Sequence, residues 1–140
     1  MAIFPIALEL RIDWSELDLF GHVNNVAFMK YIQASRVNFW EHIGLTELYQ
    51  NSQVAAILAS TSCQFKQPLF YPGNIIINAR TEFIKNTSFG IHHQLFNDKG
   101  EIAAEARDVL VMFDFKNHEK IAVPDKIRKK IEALEGKSPA

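Results

Sequence analysis

Apolar positions recur along this chain in two periods. Between residues 6 and 12, Leu8, Leu10 and Ile12 alternate with Glu9 and Arg11, which is the two-residue period of a half-buried strand. From residue 25 to about 43 the period lengthens. Phe28, Tyr31, Ile32, Ser35, Phe39 and Ile43 fall three or four apart, and Met29, Val37 and Trp40 widen the stripe, so a helix is predicted. Asn24 or Asn25 stands where an N-cap belongs, and Gly44 where the chain leaves a helix. Lys30, Arg36 and Glu41 are the few charges in the stretch. The helix is therefore expected to be largely buried, with a curved sheet wrapped around it.

Residues 45–52 read as a polar-leaning connection with room for a short helical turn. Residues 54–65 predict a long strand, because Thr61, Cys63 and Phe65 alternate with Ser60, Ser62 and Gln64; the run 55–59 by itself fits helix as well as strand. Pro68 and Tyr71-Pro72-Gly73 punctuate the chain. Residues 75–84 read as a clearer strand with Ile75, Ile77, Ala79, Thr81 and Phe83 on one face. Asn86-Thr87 turns it into 88–96, and Asn97-Asp98-Lys99-Gly100 is a strong turn signal. Residues 101–115 form the longest strand candidate, with Val109, Val111, Phe113 and Phe115 on one face. After a turn at 117–119, Pro124 takes the first position of a last helix. Its seam is Ile127, Ile131 and Leu134, and it ends at Gly136. The expected architecture is α+β in one domain spanning residues 1–136. Strand, long helix, four strands in hairpin-like succession and a terminal helix make a curved antiparallel sheet on a central helix. Residues 137–140 are expected to fray.

Composition narrows the function. A chain of 140 residues can bury roughly two-thirds of its unfolded surface without staples, and 11 phenylalanines supply ample core or interface. A net charge of −1 with no basic stripe argues against nucleic acid as a partner. The single cysteine, Cys63, allows no intrachain disulfide and suits a reducing compartment; it reads as a small strand residue. The first residues lack the basic region and long apolar run of a signal peptide, and no run approaches the ~20 apolar residues of a membrane span. A cytoplasmic protein is the expectation. His92 and His93 point to opposite faces of a strand and cannot share a metal. Neither His42 nor His118 has ligand-spaced partners, and no glycine-rich phosphate loop is present. No metal or cofactor is expected.

The chemistry concentrates in residues 13–24, between the first strand and the long helix. The loop carries Asp18, Gly21, His22 and Asn24, with Asn25 following. Asp18 falls close to a helix N-terminus, where free backbone N–H groups favour negative charge. On these residues alone, an aspartate shortly before a helix serves most often as a cap or turn residue.

The order of elements, with this loop, resembles the hotdog fold and in particular the 4-hydroxybenzoyl-CoA thioesterase family. In that fold a curved antiparallel sheet wraps a long helix. Arg11-Ile12, Asp18, Gly21, Val23 and Phe28 match the family signature. Leu17, His22 and Asn25 depart from it, and Asp18-x-x-Gly21-His22-Val23-Asn24-Asn25 is more similar to the fatty acyl-CoA branch. It is also similar to the acyl-carrier-protein thioesterases, except that Phe20 replaces an asparagine.

The resemblance implies hydrolysis of an acyl-CoA thioester, with Asp18 as nucleophile or general base and the backbone amide at Asn25 as oxyanion donor. It leaves His22 either orienting the reaction or holding the loop. Gly21, Val23, Asn24 and Phe28 become loop and substrate-contact residues. Lys66, Lys85, Arg80 and Arg107 are candidates for the coenzyme A phosphates, and Arg36 for an ion pair or a substrate contact. A homodimer or homotetramer is implied, with the active site at the interface. The alternatives are a thioesterase acting on an acyl carrier protein and a non-catalytic acyl-CoA-binding subunit. A dehydratase, which wants a histidine base, fits less well.

Overall fold

The computed structural model describes residues 3–136; the expected tail at 137–140 lies outside the described residues. The chain begins with β1 (Ile6–Arg11), passes through a 3-10 turn (Trp14–Glu16) and enters α1 (Asn25–His42). It continues through α2 (Leu45–Ser52), β2 (Val54–Phe65), β3 (Asn74–Ile84), β4 (Ser88–Phe96) and β5 (Ile102–Asp114). A two-residue β6 (Glu119–Lys120) and α3 (Asp125–Glu135) complete it. The elements form one antiparallel sheet with strand order β1-β3-β4-β5-β2, and β6 adds a short pairing to β5. α1 packs over β1, β3 and β4. This is the helix-wrapped sheet that the resemblance implies.

Several details differ from the reading of the sequence. The strands are not four hairpins in succession. β3, β4 and β5 form a meander, but β2 pairs with β5 at the far edge, so residues 66–73 carry the chain across to β3. Local turn signals cannot reveal that crossing, because it is set by pairing between residues some fifty positions apart. Residues 45–52 form a two-turn helix between two left-handed residues, Gly44 at φ +82° and Gln53 at φ +59°. Pro124 caps α3 from outside rather than occupying its first position. The long helix is buried along one face only: Ala27, Phe28, Tyr31, Ile32, Ser35, Arg36 and Phe39 are inside, whereas Val26 and Val37 are exposed. Nothing among the described residues covers its opposite face.

The apolar interior divides in two. One cluster lies under the first half of α1, around Phe28, Ile32, Ile75, Leu95 and Ala106. The other lies under its second half, around Phe39, Ile91, Leu110 and Ile127. Between them on three elements stand polar residues: Ser35 and Arg36 between Ile32 and Phe39, His93 between Ile91 and Leu95, and Asp108 between Ala106 and Leu110. Val109, Val111 and Phe113 share the other face of β5, since alternate residues of a strand face opposite ways; Phe115 lies just past its end, its ring edge-on to Phe113.

Gly90 on β4 has a steric reason. The ring of Phe83, beside a β-bulge on β3, lies where a Cβ would go.

Candidate active site

The loop before α1 is built as a small hairpin. Leu17 bridges Val23, and His22 bridges Phe70 in the segment that leads back from β2. Asp18 N–H donates to the His22 carbonyl at 2.7 Å, and Gly21 N–H to the Asp18 carbonyl at 3.1 Å. Gly21 turns the chain at φ +81°, a conformation that costs other residues strain. The loop is moored by Glu16. Asp13 and Glu16 form a reciprocal capping box, and the Glu16 carboxylate accepts the Tyr31 hydroxyl at 2.6 Å. That bond ties the loop to the second turn of α1, and burial and the neighbouring carboxylate push the Tyr31 phenol well above its ordinary range.

Asp18 is held at one oxygen only. Its Oδ1 accepts the backbone N–H of Phe20 at 2.9 Å and of His22 at 3.1 Å, while Oδ2 has no partner among the described residues. Asn24 caps α1, its side-chain oxygen accepting Ala27 N–H at 2.8 Å. The first two helical amides, Asn25 and Val26, find no such acceptor among the described residues, as helix geometry dictates. A depression of about 330 Å³ brings Asp18 and Asn25 together. It is lined by Asp18, His22, Val23, Asn25 and Phe28 on one side and Phe65, Lys66, Gln67 and Pro68 on the other. The exposed Phe65 ring meets Phe28 edge-on, with centroids 5.1 Å apart.

Of the residues singled out in the sequence, Asp18, His22, Val23, Asn25, Phe28 and Lys66 meet at this depression. Gly21 and Asn24 stand behind it as turn and cap. His22 engages Asp18 through its backbone, and its ring packs edge-on against Phe70 at 5.1 Å. Lys66 is half exposed and lies 3.5 Å from Glu105. Lys85 is not brought here. It follows β3 at the end opposite Asn74, ten residues or roughly 33 Å along the strand, and its ammonium sits over Phe83. Arg80 and Arg107 share Glu82 on the outer face of the sheet. The sequence reading passed over Phe65, Gln67 and Pro68, which arrive through the crossing from β2. It also passed over Glu16, although the Asp13-x-x-Glu16 spacing is itself a capping-box signal.

A second aspartate makes the contrast. Asp108 is 1% exposed. Arg36 donates to both its oxygens, at 2.9 and 3.2 Å. Thr61 adds a bond to Oδ1 at 2.7 Å, and His93 Nε2 lies 2.7 Å from Oδ2. Burial pushes the carboxyl up, but the bonds from His93 and Arg36 outweigh it and hold it at about 2. The other ring nitrogen of His93, Nδ1, lies 2.8 Å from the Ser35 hydroxyl. Arg36 is thus an internal ion-pair residue rather than a residue of the depression.

Comparison with known proteins adds three findings. A family model described as the thioesterase-like superfamily matches residues 12–131. Among curated proteins, the chain is 29% identical over 126 residues to the chloroplastic acyl-acyl carrier protein thioesterase ATL3 of Arabidopsis thaliana, covering 88% of this chain but only 65% of that protein. It is 20% identical over 128 residues to the long-chain acyl-CoA thioesterase FadM of Escherichia coli, covering 90% and 96%. Among solved structures, a Thermus thermophilus thioesterase complexed with coenzyme A and zinc superposes with a TM-score of 0.84 at 26% identity, covering 96% of each chain.

Proposed function

The chain belongs to the thioesterase-like superfamily, and from that premise we propose that it hydrolyses acyl-CoA thioesters to a carboxylic acid and coenzyme A. One observation carries the reading: one depression is lined both by Asp18, whose Oδ2 has no partner among the described residues, and by Asn25 at the helix start, whose amide finds no acceptor among them. The coenzyme A bound to the Thermus relative supports the substrate class.

In this reading the thioester carbonyl oxygen faces the Asn25 and Val26 amides, which gain strength as negative charge develops on it. The two bonds to Oδ1 fix the Asp18 carboxylate and leave Oδ2 to act. By one route Oδ2 adds to the carbonyl carbon, the thiolate leaves, and water hydrolyses the mixed anhydride. By the other, Asp18 takes a proton from water as the water oxygen adds to the carbon, and the tetrahedral oxyanion collapses with loss of thiolate. Lys66 meets the phosphates at the mouth. His22 acts through its backbone, by shaping the turn that clamps Asp18.

A second copy of the chain belongs to the proposal. β2 is a twelve-residue edge strand with Ile57, Leu58 and Phe65 exposed, the kind of edge that recruits another strand. A monomer by light scattering at assay concentrations would remove this part.

The test is thiol release from a panel of acyl-CoAs, wild type beside Asp18→Asn. Wild type should turn over, and the variant should lose roughly a thousandfold in kcat/KM. No release from any ester by wild type defeats the reading, and binding without turnover would favour the non-catalytic subunit. The similarity to the Arabidopsis enzyme favours one more arm, the same acyl group on a carrier protein. Faster cleavage there would move the substrate from coenzyme A to the carrier.

A further inference from the structure

The hairpin that carries Asp18 has two arms. Residues 16–18 run out to the turn, and residues 22–24 return to the helix. Asn24 N–H donates to the Glu16 carbonyl at 2.9 Å and Asp18 N–H to the His22 carbonyl, with the Leu17–Val23 bridge between them. The returning arm is tied to the crossing from β2, through Val23 N–H on the Leu69 carbonyl and the bridge of His22 to Phe70. The outgoing arm, which leads to Asp18, is tied to α1 by the Glu16 side chain.

Three groups converge on that carboxylate. Oε1 accepts the Asp13 N–H at 2.8 Å and the Tyr31 hydroxyl at 2.6 Å, and Lys30 Nζ lies 3.8 Å from Oε2. They differ in weight. The Asp13 bond is local to the 3-10 turn. Lys30 is exposed and its contact long, so solvent screens it. The Tyr31 bond is short and joins positions fifteen residues apart. It comes from a side chain that is otherwise core: Tyr31 is buried, and its ring lies beside Phe28, a wall of the depression. Phenylalanine has the same ring, so packing leaves the hydroxyl unexplained.

We propose that the Tyr31–Glu16 bond is a positioning strut for the reaction, which sets the arm bearing Asp18 against the helix bearing the Asn25 amide. The proposal rests on the thioesterase reading above. Neither Glu16 nor Tyr31 lines the depression, so both act through Asp18. The two reacting groups are then referred to one helix. Asn25 is its first residue, and Asp18 reaches its second turn through Leu17, Glu16 and Tyr31. A displacement of about 1 Å between reacting groups can cost roughly a hundredfold in rate, while the contacts that hold the rest of the substrate stay in place.

The experiment measures kcat and KM for coenzyme A release from the ester that wild type cleaves fastest, below the melting temperature of every variant. Tyr31→Phe keeps the ring, and should lower kcat about tenfold with KM within about twofold. Glu16→Gln keeps an acceptor oxygen for the hydroxyl, and should hold kcat within about threefold of wild type. Leu134→Ala loosens the distant cluster under the second half of α1, and should keep the wild-type kcat. Asp18→Asn/Tyr31→Phe should be no slower than Asp18→Asn, because the strut has lost the group it positions. A wild-type kcat in Tyr31→Phe overturns the strut and leaves the thioesterase reading standing. So does an equal loss in Glu16→Gln or Leu134→Ala, or a further loss in the double variant. If wild type releases coenzyme A from no ester, that reading fails, and the strut fails with it.

Discussion

Asp18 and Asp108 are the same side chain in opposite circumstances. Asp18 is exposed, and its two hydrogen bonds fall on one oxygen. Asp108 is buried, and four hydrogen bonds from three side chains occupy both oxygens. A carboxylate has about four acceptor sites. Asp108 uses all of them in the fold, whereas Asp18 keeps an oxygen, near the amide of Asn25, that has no partner among the described residues. Spare bonding capacity at a rigid place, rather than the presence of an Asp, His or Ser as such, is what separates a site from a scaffold. The Ser35–His93–Asp108 chain has the composition of a catalytic triad, yet it is sealed between two apolar clusters and balanced by Arg36.

The sharpest way to break the comparison is to make the same substitution at both places. Asp108→Asn leaves the Arg36 charge buried without its counter-ion and should cost roughly 3–5 kcal/mol of stability, read by urea denaturation. That is a large part of the 5–15 kcal/mol typical of a domain. Asp18→Asn should leave stability within about 0.5 kcal/mol while removing the activity. If the two effects exchanged places, the division between scaffold and site would be wrong.

Acid separates the two regions next. The Asp108 carboxyl stands at about 2 in the fold against an ordinary 3.8. Its folded value is the lower one, so its contribution is present above pH 3.8 and is lost as pH falls toward 2. The linked free energy is about 2 kcal/mol. Thermal melts between pH 5 and pH 2 should show wild type losing stability more steeply than Asp108→Asn over this window; parallel curves would contradict the ion-pair account.

Gly21 tests the site alone. Nothing stands within 4 Å of a Cβ placed there, so Gly21→Ala meets no clash and pays only for φ +81°, roughly 1–2 kcal/mol of backbone strain. Relief of that strain would move the Phe20 and His22 amides that clamp Asp18. Activity should therefore fall by more than the stability loss accounts for, and a loss of stability with unchanged kcat would show that the clamp does not matter.

How much of this was legible beforehand follows from how local each signal is. The turn at Asn97–Gly100, the cap at Asn24 and the period of α1 are written in residues a few positions apart, and each was readable. The candidate site was half legible, because Asp18, His22, Asn25 and Phe28 lie in one continuous stretch. Phe65, Gln67 and Pro68 form the opposite wall only because β2 pairs with β5 rather than β3, a long-range choice with no local marker. Lys85 carries a suitable charge, but it follows the far end of β3. Arg36 could be seen as an ion-pair candidate, but its partner lies 72 residues away.

The smallest effect falls where fold and chemistry share one residue. Asn24 caps α1 by accepting the Ala27 amide, so Asn24→Ala should cost about 1 kcal/mol of stability. The same bond fixes the direction of the first helical turn, whose open amides include that of Asn25 at the depression. If those amides hold the oxyanion, fraying this turn should lower kcat more than it raises KM, because the oxyanion exists only in the transition state. Asn24→Asp keeps an acceptor at the cap and should restore most of the stability. Its added charge stands beside the same amides, so kcat should recover less than stability does. Equal recovery of both would place the oxyanion donors elsewhere.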